Sequence, residues 1–274
     1  MNPRALAAWS VSGITIALAS GNPVYRGLVL LCALNVVVAL RRPEVSLRGL
    51  AIALVIAAVI AIVVTTLASH TGAHAFLALP AGIPVVGGPL TIEAVVFGAS
   101  TGIGIAAAVL AAAPLSLVVM PNSLVDALPS ALARTGAAIG TALNLIPGIA
   151  RSATEIRDAQ RMRGWRPRRV REWPDLAVPV VLTALEGSIT LAEAMEARGY
   201  GSGARTHYGE TAWTRGDIAV CVLAALAALT FVALRFAGVV NDWYPFPNVA
   251  PPPINVIGVA CCLALAVPAL VWRR

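Results

Sequence analysis

The amino-acid sequence predicts an all-α membrane protein with about six transmembrane helices, interrupted before the last two by a long charged segment. Of its 274 residues, 58% are hydrophobic and only 12% are charged, which is about half the charged fraction of a soluble domain. Uncharged stretches near the ~20 residues that cross a bilayer as a helix recur along the chain. Arginines separate these stretches in a regular alternation. This pattern disfavours a soluble enzyme.

Six stretches are long and apolar enough to be membrane helices: residues 5–20, 24–40, 49–68, 91–119, 216–238 and 253–271. The first two are short and are separated by the turn at residues 21–23, Gly-Asn-Pro. The ionisable residues that we identify in the spans lie at their margins, Glu93 near the start of the fourth and Arg235 near the end of the fifth. A self-contained permease or channel, the main alternative, usually carries such residues inside its spans.

The arginine distribution predicts the orientation, because short cytoplasmic loops are enriched in basic residues. Arg41, Arg42 and Arg48 place the second loop inside. Residues 120–215 hold twelve of the twenty arginines, whereas the stretches 69–90 and 239–252 hold none. We therefore expect both termini in the cytoplasm. A cleaved signal peptide at residues 1–20 is an alternative that leaves the cytoplasmic position of 120–215 unchanged.

Three parts follow from this alternation: helices 1–4 in residues 1–119, a cytoplasmic helical region in 120–215, and helices 5 and 6 in 216–274. Structureless connections of such length are uncommon, so the middle part is expected to be functional. We predict helices lying against the membrane there, with two helical stretches separated at Pro147-Gly148. A later stretch, 180–198, is apolar first and acidic afterwards.

Several kinds of chemistry are excluded or disfavoured. All twenty basic residues are arginine, so the chain has neither the lysine of a Walker A loop nor a Schiff-base lysine. The four cysteines show no CxxC spacing, and no metal site is predicted from them. His70 and His74 are four residues apart but lack a nearby carboxylate in the sequence, so we interpret them as loop residues. Nothing suggests a nucleic-acid surface.

An internal repeat is the strongest signal. The ten residues IRDAQRMRGW from Ile156 align with LAEAMEARGY from Leu191, and seven of ten columns agree in kind. Each copy predicts a helix end, with Gly164 or Gly199 in the left-handed conformation and Arg163 or Arg198 at the negative end of the helix dipole.

A single Arg-Gly pair is a common helix cap, but a cap requires neither an alanine five residues before the glycine nor an aromatic residue after it. Arginine stays charged and makes several directional hydrogen bonds. The matched pair therefore predicts a partner that offers two equivalent acidic or carbonyl-lined grooves.

The segment Ala194–Gly199, with the looser Ala159–Gly164 upstream, resembles the paired Ala-Arg-Gly signatures of the transmembrane T component of energy-coupling-factor (ECF) transporters. These are ATP-binding-cassette (ABC) importers for vitamins and metal ions. The upstream copy has Met162 where the family has alanine. The resemblance covers about 120–205, and the flanking spans match only in hydrophobicity and number.

The resemblance implies cytoplasmic coupling helices whose arginine tips contact two ABC-type ATPase subunits. It also implies a non-catalytic subunit of the bacterial cytoplasmic membrane, with ATP and magnesium bound by the ATPases and substrate bound by a membrane S component. Arg163 and Arg198 would make the contacts, and small residues would let the helices approach closely and end sharply: Ala159, Gly164, Ala194, Ala197 and Gly199.

The segment Gly98 to Gly102 admits two interpretations. Gly-Ala-Ser-Thr-Gly matches the nucleophile elbow of hydrolases, which makes an intramembrane serine hydrolase with Ser100 a third possibility, but the elbow needs a strand-to-helix turn and a base. The same residues match GxxxG, in which small residues allow close helix packing in lipid. We favour packing, either within this chain or against a partner.

Overall fold

The computed structural model describes residues 2–40, 48–69, 71–78, 88–119, 123, 133–166, 173–200 and 213–272. These residues divide into two compact units. Unit 1 contains residues 1–120 together with 211–274, and unit 2 contains residues 121–210.

Nine helices and one two-stranded sheet form within the described residues. The helices of unit 1 are α1 (Pro3–Ala19), α2 (Pro23–Leu40), α3 (Arg48–Ala68), α4 (Ile92–Val118), α7 (Arg215–Phe236), α8 (Val256–Ala264) and α9 (Val267–Val271). Those of unit 2 are α5 (Ala133–Met162) and α6 (Pro174–Ala197). The strands, in unit 1, are β1 (Ala75–Ala78) and β2 (Pro89–Thr91).

The prediction of an all-α membrane protein is confirmed, and the number of six spans is approximate. Five helices are long and apolar enough to cross a membrane: α2, α3, α4, α6 and α7. Four of them correspond to predicted spans. The first and last predicted spans correspond to shorter apolar helices, namely the 17-residue α1 and the interrupted pair α8 and α9. Helix α6 lies in the charged segment, where no span was predicted.

Helix α4 is central in unit 1 because α1, α2 and α3 all pack against it. Small residues allow the neighbouring helices to come close to the α4 backbone. A Cβ added at Gly98 would lie 3.0 Å from Ile62 Cα of α3, and one added at Gly102 would lie 3.1 Å from the Ala58 carbonyl oxygen. The surface that faces the GxxxG glycines is therefore α3 of the same chain.

Helices α1, α2, α7 and α8 complete the core around α4. The Tyr25 ring of α2 meets the Phe231 ring of α7 edge to face, with centroids 5.5 Å apart. The Tyr25 hydroxyl accepts a hydrogen bond from the Asn255 backbone N–H at 2.8 Å. The Tyr25 ring is therefore packed against Phe231, and its hydroxyl has a hydrogen-bond partner.

The last predicted span is interrupted between α8 and α9 for a local and a tertiary reason. Pro268 has no N–H to continue the helical hydrogen bonds. The Trp9 indole N–H of α1 donates to the Leu265 carbonyl oxygen at 2.9 Å. Because that oxygen obtains its partner from another helix, the interruption leaves no unsatisfied group there.

A polar cluster joins four segments at one end of unit 1, and we call it the end clamp. The Gly21 N–H of the α1–α2 turn donates to Asp242 Oδ1 at 3.0 Å, and Asp242 also pairs with Arg235. The Ser100 hydroxyl donates to the Gly21 carbonyl oxygen at 3.1 Å. Arg26 Nη1 donates to the carbonyl oxygen and the hydroxyl of Ser100 at 3.0 and 3.2 Å. The clamp thus connects the α1–α2 turn, α2, α4 and the α7–α8 loop.

The opposite end of unit 1 brings the two ends of the chain together. Asp217, in the first turn of α7, forms a capping box with Thr214 and accepts a hydrogen bond from the Trp272 indole at 3.1 Å. The backbone of Asn2 hydrogen-bonds the same carboxylate. Residues 2 and 272 therefore lie at the same end of unit 1.

A short hairpin formed by β1 and β2 lies in and just after the stretch 69–90, for which the sequence predicts a loop. Strand β1 pairs antiparallel with β2, with an irregularity between Ala75 and Leu77. The hairpin leads into α4, where Glu93 is fully buried and Glu93 Oε1 lies 2.7 Å from His74 Nδ1. The expectation that no carboxylate lies near His74 is therefore wrong, because the fold brings Glu93 to it from 19 positions away in the sequence. His70 lies outside the described residues.

The predicted separation of two helical stretches at Pro147-Gly148 is wrong. Helix α5 runs from Ala133 to Met162 without interruption. Proline removes one N–H and introduces a clash with the preceding turn, but it can also kink a helix without ending it. The missing N–H leaves the Leu143 carbonyl oxygen without its helical donor, and such a group costs little where water reaches the backbone.

Replacing Gly98 by alanine is expected to destabilise unit 1. The added methyl would lie 3.0 Å from Ile62 Cα, so α3 would have to move away from α4, at a cost of about 1–3 kcal/mol. Thermal unfolding in detergent measures the effect. The matched control is Gly27→Ala in α2, where nothing lies within 4 Å of the added methyl. Equal melting temperatures for the two variants would contradict the proposed close packing.

Candidate functional site

The two copies of the sequence repeat form two helix ends in unit 2 with the same backbone geometry. At the end of α5, the Arg163 N–H donates to the Ala159 carbonyl oxygen at 3.2 Å. Gly164 then adopts a φ of +88°. The Gly164 and Trp165 N–H groups donate back to the carbonyls of Arg161 and Gln160, at 3.0 and 2.9 Å. This arrangement is a Schellman motif.

The end of α6 repeats this pattern bond for bond. The Arg198 N–H donates to the Ala194 carbonyl oxygen at 3.2 Å, and Gly199 has a φ of +71°. The Gly199 and Tyr200 N–H groups donate to the carbonyls of Glu196 and Met195 at 2.9 and 3.0 Å. The shift of 35 residues in the sequence therefore corresponds to two equivalent structures, which we call the helix tips.

Both tips present an arginine to the surroundings. Arg163 and Arg198 occupy the position immediately before the left-handed glycine and are exposed. The tip backbone is held by hydrogen bonds, so each Cα position is fixed while the long side chain is free to reach a partner. A guanidinium in this position can make bidentate, charge-assisted hydrogen bonds to carboxylates or to carbonyl oxygens.

The other predicted site residues lie in the last turns of α5 and α6, next to the two helix tips. Ala159 and Ala194 supply the carbonyl oxygens that accept from the arginine N–H groups. Ala197 is the last helical residue of α6 and is exposed. Met162, the residue that departs from the family pattern, is the last residue of α5 and is 86% exposed, so its side chain is accommodated without any change in the tip.

Helix α6 carries an exposed apolar face in addition to its arginine tip. The face consists of large side chains that are each more than half exposed and follow helical spacing: Val178, Val181, Leu182, Leu185 and Ile189. Its first part, with Trp173, Pro174 and Ala177, lines a shallow apolar groove of about 470 Å³. Exposed contiguous apolar surface of this kind marks an interaction site with lipid or with another protein. We call it the α6 apolar face.

The hydrolase interpretation of Ser100 receives no support from its surroundings. Ser100 is inside α4 rather than on a strand-to-helix turn. Its hydroxyl donates to Gly21 and accepts from Arg26, and a nucleophile would need a base as its partner. His74 is engaged with Glu93, and the other two histidines, His70 and His207, lie outside the described residues.

Sequence reasoning missed Arg26. This arginine lies inside the predicted second span, three residues after Pro23, and an ionisable residue within a span is a reason to look for a partner. The structure gives it Ser100 as partner and places its guanidinium against Gly104, where an added Cβ would lie 2.8 Å from Arg26 Nε. Within the described residues, no three His, Cys, Asp or Glu side chains are close enough together to hold a metal ion.

The chain is similar to a known protein family and to a curated relative. Residues 1–208 match the family described as cobalt transport protein (CbiQ). The chain is also similar to the energy-coupling factor transporter transmembrane protein EcfT of Exiguobacterium sibiricum, with 33% identity over 104 residues. That match covers 35% of this chain and 40% of the relative, so the chain spans less than half the length of this curated relative.

Replacing Gly199 by alanine is expected to loosen the second tip. The left-handed conformation at φ +71° costs a residue with a Cβ about 1–2 kcal/mol, which corresponds to about 5–30-fold in a local equilibrium. Hydrogen exchange of the Tyr200 amide should accelerate by that factor. Gly187→Ala, in the middle of the same helix with nothing within 4 Å, is the control. An unchanged Tyr200 exchange rate in the Gly199 variant would show that the Schellman motif does not hold the tip.

Proposed function

The chain belongs to the CbiQ family of cobalt transport proteins, and from this premise we propose that it is the energy-coupling transmembrane subunit of an ECF-type ABC importer. In this role it transmits the motion of two cytoplasmic ATPases to a substrate-binding S component that takes up a vitamin or a metal ion. The ATPases bind ATP and magnesium, and this chain catalyses no reaction. The observation that carries the proposal is the pair of equivalent arginine tips.

Two equivalent tips suit two equivalent partners. A single ATPase groove would need only one arginine, whereas the repeat reproduces the helix end down to its individual hydrogen bonds. Helix α6 has 24 residues and ends at the second tip, and a helix of that length extends about 36 Å. Because each tip is held by its own backbone bonds, force applied to an arginine is transmitted to the helix.

Helix α6 links the ATPase contact to the contact with the S component. Its last turn ends at Arg198, and its exposed α6 apolar face begins at Val178 on the same helix. An α-helix resists bending over this length, so a displacement of the tip displaces the apolar face with it. We propose that the S component, which is itself a membrane protein, docks against this face, and that ATP-driven approach of the two ATPases reorients it through α6.

The absence of lysine supports a division of labour between subunits. A P-loop ATPase needs a lysine at its phosphates, and this chain has none. The nearly uncharged spans support the same conclusion, since a protein that carried a polar substrate through its own helices would line the path with polar groups. Selectivity for the cargo therefore belongs to the S component.

We place the protein in the bacterial cytoplasmic membrane with unit 2 on the cytoplasmic side. Arg41, Arg42 and Arg48 support this orientation, because basic residues in short loops stay inside and the spans α3 and α4 then return the chain to the same side before residue 120. The two ends of the chain share one end of unit 1, and Arg4, Arg273 and Arg274 lie there or next to it in the sequence. Both termini then face the cytoplasm as well.

Alanine at Arg163 or Arg198 is expected to weaken retention of the ATPases. Loss of charge-assisted hydrogen bonds worth about 1.5–3 kcal/mol corresponds to at least about tenfold in affinity for each tip. The double variant should lose more than either single variant. The measurement is the amount of ATPase that co-purifies with the tagged chain from membranes, together with ATP-dependent uptake in cells.

Arg151→Ala is the matched control for these variants, because Arg151 is an exposed arginine on α5 three turns before the first tip. It should retain the ATPases at the wild-type level. Equal membrane insertion of all variants, measured by their amount in the membrane fraction, separates a lost contact from a lost protein. Wild-type ATPase retention and uptake in the double variant would refute the assignment of the tips.

The orientation is tested by single cysteines at Phe76 in the hairpin and Met162 at the first tip, which are 57% and 86% exposed. A membrane-impermeant maleimide added to intact cells should label the cysteine at 76. It should label the cysteine at 162 only after the membrane is permeabilised. Labelling at 162 in intact cells would invert the topology.

A further inference from the structure

We propose that the two helix tips bind ATPase surfaces of opposite charge, and that Arg161 and Glu196 determine which surface each tip accepts. The first tip fits an acidic surface and the second fits a basic one. Because two copies of one ATPase would offer identical surfaces, the pair consists of two different chains. This inference rests on the proposed function for the identity of the partners, whereas the difference between the tips rests on their own residues.

The charges around the two tip arginines are opposite in sign. The first copy of the repeat, residues 156–165, contains three arginines and one aspartate. The second copy, residues 191–200, contains one arginine and two glutamates. The sequence beyond the tips continues the difference, since residues 166–171 hold four arginines and residues 201–210 hold one. The first tip is therefore basic and the second is acidic.

Arg161 and Glu196 are opposite charges at equivalent positions. Each is the last residue but one of its helix, and both are exposed. The Arg161 carbonyl oxygen accepts from the Gly164 N–H at 3.0 Å. The Glu196 carbonyl oxygen accepts from the Gly199 N–H at 2.9 Å. Because the backbones match, a groove that receives a tip arginine meets a positive charge beside the first tip and a negative charge beside the second.

The stability of α6 does not account for Glu196. The carboxyl end of a helix carries a partial negative charge, so a basic residue stabilises the last turn and an acidic residue destabilises it. Arg161 follows this rule in α5. The last turn of α6 contains Glu196 and no basic residue. A basic group on a partner would compensate this unfavourable charge through charge-assisted hydrogen bonds.

The tips also differ in size at two other equivalent positions. Met162 in the first tip is 86% exposed, and the small, exposed Ala197 takes its place in the second. After the glycine, Tyr200 is 61% exposed, whereas Trp165 is half-buried. Complementary charge and shape are what make an interface specific. One protein surface used twice would not be complementary to both tips.

Anionic lipid is the alternative partner for the basic tip, because arginines near a membrane surface attract acidic headgroups. The same headgroups would repel the glutamates of the second tip, although its backbone is the same. Two ATPase surfaces of opposite charge account for both tips together.

Charge reversal at one tip or at both tests the proposal in the complex that co-purifies with the full chain. Arg161→Glu and Glu196→Arg should each reduce ATPase retention at least about tenfold, because one tip then faces a like charge. The double reversal exchanges the charges of the tips, so an ATPase pair turned by half a turn fits it. Its retention should therefore exceed that of either single variant, which independent losses would not allow.

Crosslinks identify the ATPase that each tip meets. Met162→Cys and Ala197→Cys are made separately, at equivalent exposed positions, in a chain whose four native cysteines are replaced by alanine. A short thiol-to-amine crosslinker should join the first to one ATPase chain and the second to a different one. In the double reversal, each should shift toward the other chain. Capture of one and the same ATPase at both positions would overturn the proposal.

Two comparisons separate a lost contact from a damaged tip. Glu196→Arg removes an unfavourable charge from the end of α6, so its expected loss of ATPase cannot come from a weaker helix. The loss should shrink in about 1 M salt, which screens charges beyond about 3 Å. Arg151→Glu is the matched control, because it makes the same change of charge at an exposed position of α5 outside the repeat. It should retain the ATPases at the wild-type level.

The outcomes separate this inference from the proposed function. If no ATPase co-purifies with the wild-type chain, the proposed function fails and the inference fails with it. If ATPases are retained but the single reversals match the wild type, only the inference fails. An Arg161→Glu effect that is present in nanodiscs of anionic lipid and absent in detergent would assign the basic tip to the membrane surface, and this too would overturn the inference.

Discussion

The structure of unit 1 depends on the close approach of helices to α4. In lipid, apolar side chains gain little from leaving the bilayer, so helix association relies on van der Waals contact and interhelical hydrogen bonds. Both require backbones that come near one another. Gly98 and Gly102 allow this for α3, Gly104 allows it for the Arg26 side chain of α2, and Gly13 allows it for α1 against Ala111. Larger residues at these positions would separate α4 from three neighbours at once.

Close packing also determines what the polar groups of unit 1 can do. Arg26 reaches Ser100 because Gly104 leaves room for its guanidinium, and Ser100 in turn holds the α1–α2 turn. The serine that resembled a nucleophile is thus one step in a chain of structural hydrogen bonds. A GxSxG sequence in a membrane helix supplies small residues, which allow close packing, and one hydroxyl, which can link hydrogen-bond partners from two other segments. The same residues therefore fit packing better than catalysis.

Local signals made part of this architecture predictable. The apolar stretches gave α2, α3, α4 and α7, and the glycines at 164 and 199 gave the left-handed helix ends, because each depends on the residue itself and its immediate neighbours. The features that escaped prediction depend on distant partners. Leu265 receives its hydrogen bond from Trp9, His74 is paired with Glu93, and Arg26 is bonded to Ser100. No residue near these positions in the sequence indicates its partner. The apolar face of α6 was visible as composition, but its exposure was not.

The helix tips and the end clamp are held by different types of contact, and this difference bears on the proposed coupling function. A contact that transmits force must not yield, and the tips are held by their own backbone bonds at Arg163 and Arg198 rather than by side chains that rotate. A frame that resists force must be joined across elements, as the end clamp joins the α1–α2 turn, α4 and the α7–α8 loop. Helix α3 is joined to α4 in a third way, through close backbone contacts at Gly98 and Gly102. The tips, the clamp and the α3–α4 contact thus obtain their stability from different types of interaction.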